Sequence, residues 1–144
     1  MTSKGLEILT PDECLDLLRA HTLGRVAVHI VGAPVILPVN YALLDDDVVF
    51  RTDPGSKLYA ALMKIMVAFE VDEIDPESRT GSSVLVTGYV DEIRDTETLA
   101  RVEELELDPW VVDGRDYVVR IATRTISGRR VRPRVGVDAI TDSP

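Results

Sequence analysis

The chain has 144 residues with 16 Lys and Arg against 25 Asp and Glu, a formal charge of −9, and 45% hydrophobic residues. That is enough apolar material for one core in one domain, and a charge balance that repels phosphodiester backbones, so general nucleic-acid binding is excluded. A single cysteine, Cys14, rules out an internal disulfide, and with no apolar run of membrane-spanning length and no basic leader at the N-terminus a soluble cytoplasmic protein without a membrane role is expected.

In chain order, Thr10-Pro11-Asp12-Glu13 reads as a helix start: an N-cap, a proline in the first turn and a glutamate three residues after the cap. Cys14, Leu15, Leu17 and Leu18 give that helix an apolar face. Arg25 to Val31 alternates as a strand, Gly32-Ala33-Pro34 turns, Val35 to Leu43 is a second strand, and Asp45-Asp46-Asp47 leads into a third from Val48 to Thr52. Short polar turns between them predict an antiparallel meander. Asp53-Pro54-Gly55 breaks the sheet before a short helix over Ser56 to Met63. Ile65 to Val71 is a fourth strand, Asp72 to Thr80 a polar loop, and Ser83 to Ile93 a long fifth strand with a bulge or bend at Gly88. Asp95 to Leu107 is helical, Tyr117 to Ile126 the last strand, and Val135 to Pro144 a loose tail. Helices never alternate singly with strands, so a parallel doubly wound sheet is disfavoured and a mainly β, six-stranded antiparallel barrel with flanking helices is predicted.

Several segments carry polar groups suited to a ligand. Pro34 and Pro38 mark an edge or gap in the second strand, because proline cannot donate to a ladder. Free backbone groups there, with Asn40, suit a planar heterocycle; equally, the prolines blunt an ordinary edge. From Arg51 to Lys57 the chain passes from a strand end through a glycine turn into a helix start. Arg51, Lys57, Thr52 and Ser56 supply two cations and two hydroxyls, as a terminal phosphate requires; the plain alternative is a capped helix with Lys57 in water. Arg79-Thr80-Gly81-Ser82-Ser83 reads as a turn, the alternative being small hydroxyl residues that contact a ligand's polar chain. The arginines crowd late, at Arg115, Arg120, Arg124, Arg129, Arg130, Arg132 and Arg134, which suits a small anionic ligand as well as a solvated tail. His21 and His29 are too isolated for a metal site, and no nucleophile–base pair is legible.

Taken in order, Pro38-Val39-Asn40-Tyr41, Val49-Phe50-Arg51-Thr52, Gly55-Ser56-Lys57-Leu58, Val67-Ala68-Phe69-Glu70-Val71-Asp72, Val84-Leu85-Val86-Thr87-Gly88 and Ile126-Ser127-Gly128-Arg129-Arg130 resemble the pyridoxamine 5′-phosphate oxidase-like family of FMN-binding split-barrel flavoproteins. The resemblance covers about Leu9 to Val131 and is to the short actinobacterial-type members, including deazaflavin users, more than to the vitamin B6 oxidase. It implies a six-stranded split barrel and a homodimer with a cofactor groove at the interface. The cofactor would be FMN, with a deazaflavin coenzyme or haem as alternatives. Pro38, Val39 and Asn40 would lie along the ring system, Arg51 and Thr52 at the ribityl chain or phosphate, and Ser56 and Lys57 at the phosphate. Ser82 and Ser83 match positions on the long strand, and Trp110 and Arg129 a late region that closes the site. Relatives carry Trp where Ser82 stands, a change that removes a flat apolar surface and widens the groove or alters the cofactor. The implied function is an oxidoreductase acting on a small organic molecule through the cofactor's hydride chemistry, with no protein acid or base required; the alternative is a non-catalytic flavin- or haem-carrying barrel.

Overall fold

A computed structural model describes residues 5–53, 55–63, 65–105, 107 and 117–133. The strands are β1 (Leu6–Ile8), β2 (Leu23–Ile30), β3 (Ala33–Leu44), β4 (Asp47–Thr52), β5 (Val67–Asp75), β6 (Thr80–Ile93) and β7 (Tyr117–Val131), and the helices α1 (Pro11–Ala20), α2 (Lys57–Leu62) and α3 (Thr96–Glu104). The strand order β1-β7-β4-β3-β2-β5-β6 closes through pairing of β6 on β7. All ladders are antiparallel, so β2 to β7 form the predicted six-stranded barrel and β1 lies along the last residues of β7. At three residues, β1 is too short to show an alternating pattern, and the sequence reading passed over it.

Alternation fills the barrel. Val26 and Val28, Tyr41, Val48 and Phe50, Val67, Phe69 and Val71, Val84 and Val86, Val119 and Ile121 all point inward into one buried cluster. Each is worth about 1.5–3 kcal/mol of apolar burial. α1 begins in the expected capping box, with Thr10 and Glu13 exchanging bonds; its Cys14 and Leu18 join the core at the barrel end where Leu9 N bonds Gly128 O. α2 brings Ala61 and Leu62 to the same core at the opposite end, where Tyr59 stacks edge-on with Tyr117 at the start of β7. α3 packs outside, Val102 against Leu44, Val49, Ile93 and Val118.

Pro34 and Pro38 fall where the expectation put them. β2 pairs with β3 from Ala33 to Asn40, but β4 pairs only with Tyr41 to Leu44. Among the described residues, the second edge of 33–39 is therefore open. The bulge at Gly88 also holds: the β6–β7 register shifts between Thr87 and Gly88.

Two segments differ from the sequence reading. The polar stretch after Val71 is a hairpin rather than a loop, because β5 continues to Asp75 and β6 already starts at Thr80. Thr80 to Ser83 accordingly belong to the strand, and of this segment only Arg79 stays in the turn. β7 runs on to Val131, since β6 on one side and β1 on the other supply its backbone partners. No helix among the described residues is long and apolar enough to cross a membrane.

Candidate functional site

The expected phosphate corner lies at the β4–α2 junction. Arg51 is outward-facing beside α3, with its side chain 20% exposed and Nη2 3.4 Å from Glu103 Oε1. Its Nε is buried with no hydrogen-bond partner among the described residues, an unmet donor of the kind an oxyanion satisfies. Glu103 is 75% exposed and free to swing aside. Thr52, in contrast, is buried, and the Ser56 hydroxyl is committed: it caps α2 by accepting from Tyr59 N and donates to Asp53 O. α2 has only six residues, so its dipole contributes little. Lys57 is exposed and borders a cleft of about 410 Å³ between α2 and the β2–β3 hairpin, with His29, Val31 and Ala61 in its walls. The corner thus reduces to two cations, Arg51 and Lys57, flanking the start of α2.

Asn40 is the residue beyond the Tyr41–Phe50 pair of the β3–β4 ladder, next to the position of Arg51. It borders a cavity of about 530 Å³ between the ends of α1 and α3. Pro38 is exposed beside the open edge, whereas Val39 packs against the core and can offer a ligand only its backbone.

Ser83 and Arg129 are cross-strand partners at the other end of β7, around a groove of about 470 Å³. The Ser82 hydroxyl accepts from Arg130 Nε at 3.3 Å, and alternation turns it to the opposite face from Ser83. Ser82 borders the groove but its side chain does not form the floor. Trp110 lies outside the described residues.

One chain therefore holds two half-sites at opposite ends of β7. Arg51 pairs with Val118 and Ser83 with Arg129, which puts roughly 35 Å of β7 between them at ~3.3 Å per residue. Around the wall in the other direction Arg51 on β4 and Ser83 on β6 are four strand spacings apart, about 19 Å at ~4.8 Å per strand.

Between the halves, Arg25 Nη2 reaches Glu70 Oε1 at 3.0 Å and Asp72 Oδ2 at 2.5 Å. Burial, then the adjoining Asp72 carboxyl, raises the Glu70 pKa. Asp72 is lowered, first by its hydrogen bond with Glu70 and then by Arg25. The sequence reading missed this trio; its signal is the i, i+2 spacing of Glu70 and Asp72 on one strand, which puts both on one face.

The pyridoxamine 5′-phosphate oxidase model matches residues 10–130. The chain belongs to the pyridoxamine 5′-phosphate oxidase family. The uncharacterized protein Rv0080 of Mycobacterium tuberculosis is 38% identical over 128 residues, 85% of this chain and 84% of that one. Among solved structures, the FAD binding protein from Mycobacterium smegmatis is 37% identical over 88% of this chain and 99% of its own, with a TM-score of 0.80. An FAD-binding protein of Mesorhizobium loti is 26% identical over 88% and 98%, with a TM-score of 0.68. The family and the split-barrel fold expected from the ordered motifs are thus both found, and flavin is the cofactor class of these neighbours.

Proposed function

We propose that two copies of this chain assemble a site for a phosphorylated flavin that oxidises or reduces a small organic molecule. The carrying observation is the separation of the half-sites: Arg51 and Lys57 at one end of β7, Ser83 and its groove at the other, beyond the reach of one compact ligand on one chain. A second copy facing the first supplies the missing half. A shallow outer patch formed by Ala27, Ile36, Ala68 and Leu85 around the Arg25 trio, with Ile36 67% and Leu85 44% exposed, provides apolar surface for that contact.

In this reading Arg51, through its buried Nε, and Lys57 hold the phosphate, and the open backbone edge at Pro38 to Asn40 faces the rings. FMN and FAD share that phosphate; the M. smegmatis and M. loti neighbours favour a flavin, and a deazaflavin is the competing cofactor. The bound flavin supplies the hydride acceptor or donor. The chain orients it, neutralises its phosphate and leaves one ring face open. Cytoplasmic residence is part of the same proposal.

The test is titration of cofactor-stripped protein with FMN, FAD and a deazaflavin, followed by reduction with a nicotinamide. Arg51→Ala and Lys57→Ala should each weaken flavin binding by about 1.5–3 kcal/mol, the range for a hydrogen bond to a charged group. Unchanged affinity in both variants rejects the phosphate assignment. Binding without any turnover of reduced nicotinamide or deazaflavin leaves a carrier.

A further inference from the structure

The late arginines are not equivalent. Arg130 donates to Glu7 and Ser82, and Arg132 to Glu7. Arg129 is exposed and has no acidic partner among the described residues. It stands on the β7 wall of the 470 Å³ groove. That groove exists because β6 carries Gly81 and Ser83 between bulkier neighbours: Gly81 lies between Ile74 and Val131, and Ser83 between Asp72 and Arg129. Ile74 and Val131 are 69% and 48% exposed, an apolar floor open to solvent.

The facing wall has the opposite character. Glu70 and Asp72 share one counter-ion, Arg25, so that trio keeps one net negative charge. Asp75 is occupied by the turn, accepting from Glu77 N at 3.1 Å, and Arg79 of the same turn borders the far end. The two walls are two strand spacings apart, about 10 Å. A guanidinium with no acidic partner among the described residues, opposite a carboxyl pair across an apolar floor, selects a compact molecule with unlike ends.

We infer that this groove binds the substrate: an organic anion whose carboxylate or phosphate meets Arg129, whose body lies on Ile74 and Val131, and whose far end donates a hydrogen bond to Glu70 or Asp72. The inference rests on the flavin reading only for what becomes of that molecule. Arg129 then serves substrate choice, while Arg51 and Lys57 serve the cofactor.

Three probes separate the contributions: 4-hydroxybenzoate, which has both ends; 4-hydroxybenzamide, which lacks the anion; and benzoate, which lacks the donor. Binding is followed by amide shifts of Gly81 and Ser83 in isotope-labelled protein, with and without flavin. Wild type should prefer 4-hydroxybenzoate over 4-hydroxybenzamide by about tenfold, the lower end for a hydrogen bond to a charged group, and should bind benzoate more weakly than 4-hydroxybenzoate. In Arg129→Gln the preference for the anion should vanish while affinity for 4-hydroxybenzamide stays within about twofold. Equal binding of the three probes, an undiminished preference in Arg129→Gln, or parallel loss of 4-hydroxybenzamide binding overturns the assignment. The two readings fail separately: anion preference in a protein that binds no flavin defeats the redox proposal alone, and flavin binding without anion preference defeats the groove alone.

Discussion

At Gly88 the backbone of β7 comes so close that a Cβ would lie 2.1 Å from Ala122 O and 2.9 Å from its carbonyl carbon. The obstacle is main chain locked in a ladder, which cannot step aside as a side-chain tip can. Gly88→Ala should therefore destabilise by about 2–3 kcal/mol, as overpacking does, read as a lower midpoint in urea unfolding at unchanged slope. Val31 poses the reverse case. It holds a φ of 51° at the tip of the β2–β3 hairpin and is 92% exposed. A β-branched side chain is strained in that left-handed region and nothing is packed on it in return. Asparagine tolerates the conformation, and Val31→Asn should gain about 0.5–1 kcal/mol, seen as a rise in Tm; a fall would show that Val31 has a packing role.

At the scale of elements, α1 depends on its cap. Thr10 Oγ1 accepts from Glu13 N at 3.2 Å while Glu13 accepts from Thr10 N at 2.8 Å. Thr10→Ala should cost about 1 kcal/mol and loosen the barrel end that Cys14 and Leu18 seal, measurable as faster amide exchange along α1. β5 makes the molecule pH-sensitive. Burial holds the Glu70 carboxyl above its ordinary value of 4.5, so the folded chain takes up that proton before the unfolded one does. This contribution to stability is full below the unfolded pKa and lost as pH rises through the folded one. Asp72, held below its ordinary 3.8, acts in the opposite sense and gives way only as pH falls through its lowered value. Glu70→Gln removes the first effect, so its Tm relative to wild type should improve between pH 4 and pH 7. A difference that stays flat across that window would mean Glu70 titrates alike in both states.

For the whole molecule, the proposed pairing of two copies makes cofactor binding depend on assembly. Ile36→Glu places a charge on the exposed apolar patch at a residue outside both half-sites. The expected outcome is a wild-type dimer and a variant monomer in sedimentation, with far-UV circular dichroism intact and flavin affinity lost together with the dimer. A monomeric variant that still binds flavin as tightly would confine the site to one chain. The barrel itself was legible in the amino-acid order because alternation is a local property: Val26 and Val28, or Val84 and Val86, announce an inward face whatever strand lies beside them. Pro34 and Pro38 likewise announced an open edge, and Thr10 with Glu13 a helix start, since each acts through its own backbone. The family too could be read, from motifs whose order survives without knowledge of their placement. What only the tertiary structure decided is which polar groups remain available. Thr52 became buried and Ser56 a cap; Ser82 turned to Arg130, while Arg129 was left without an acidic partner among the described residues, beside the groove at Gly81 and Ser83. Those outcomes depend on register and strand shear, through which residues distant in sequence either satisfy a side chain or leave it for a ligand.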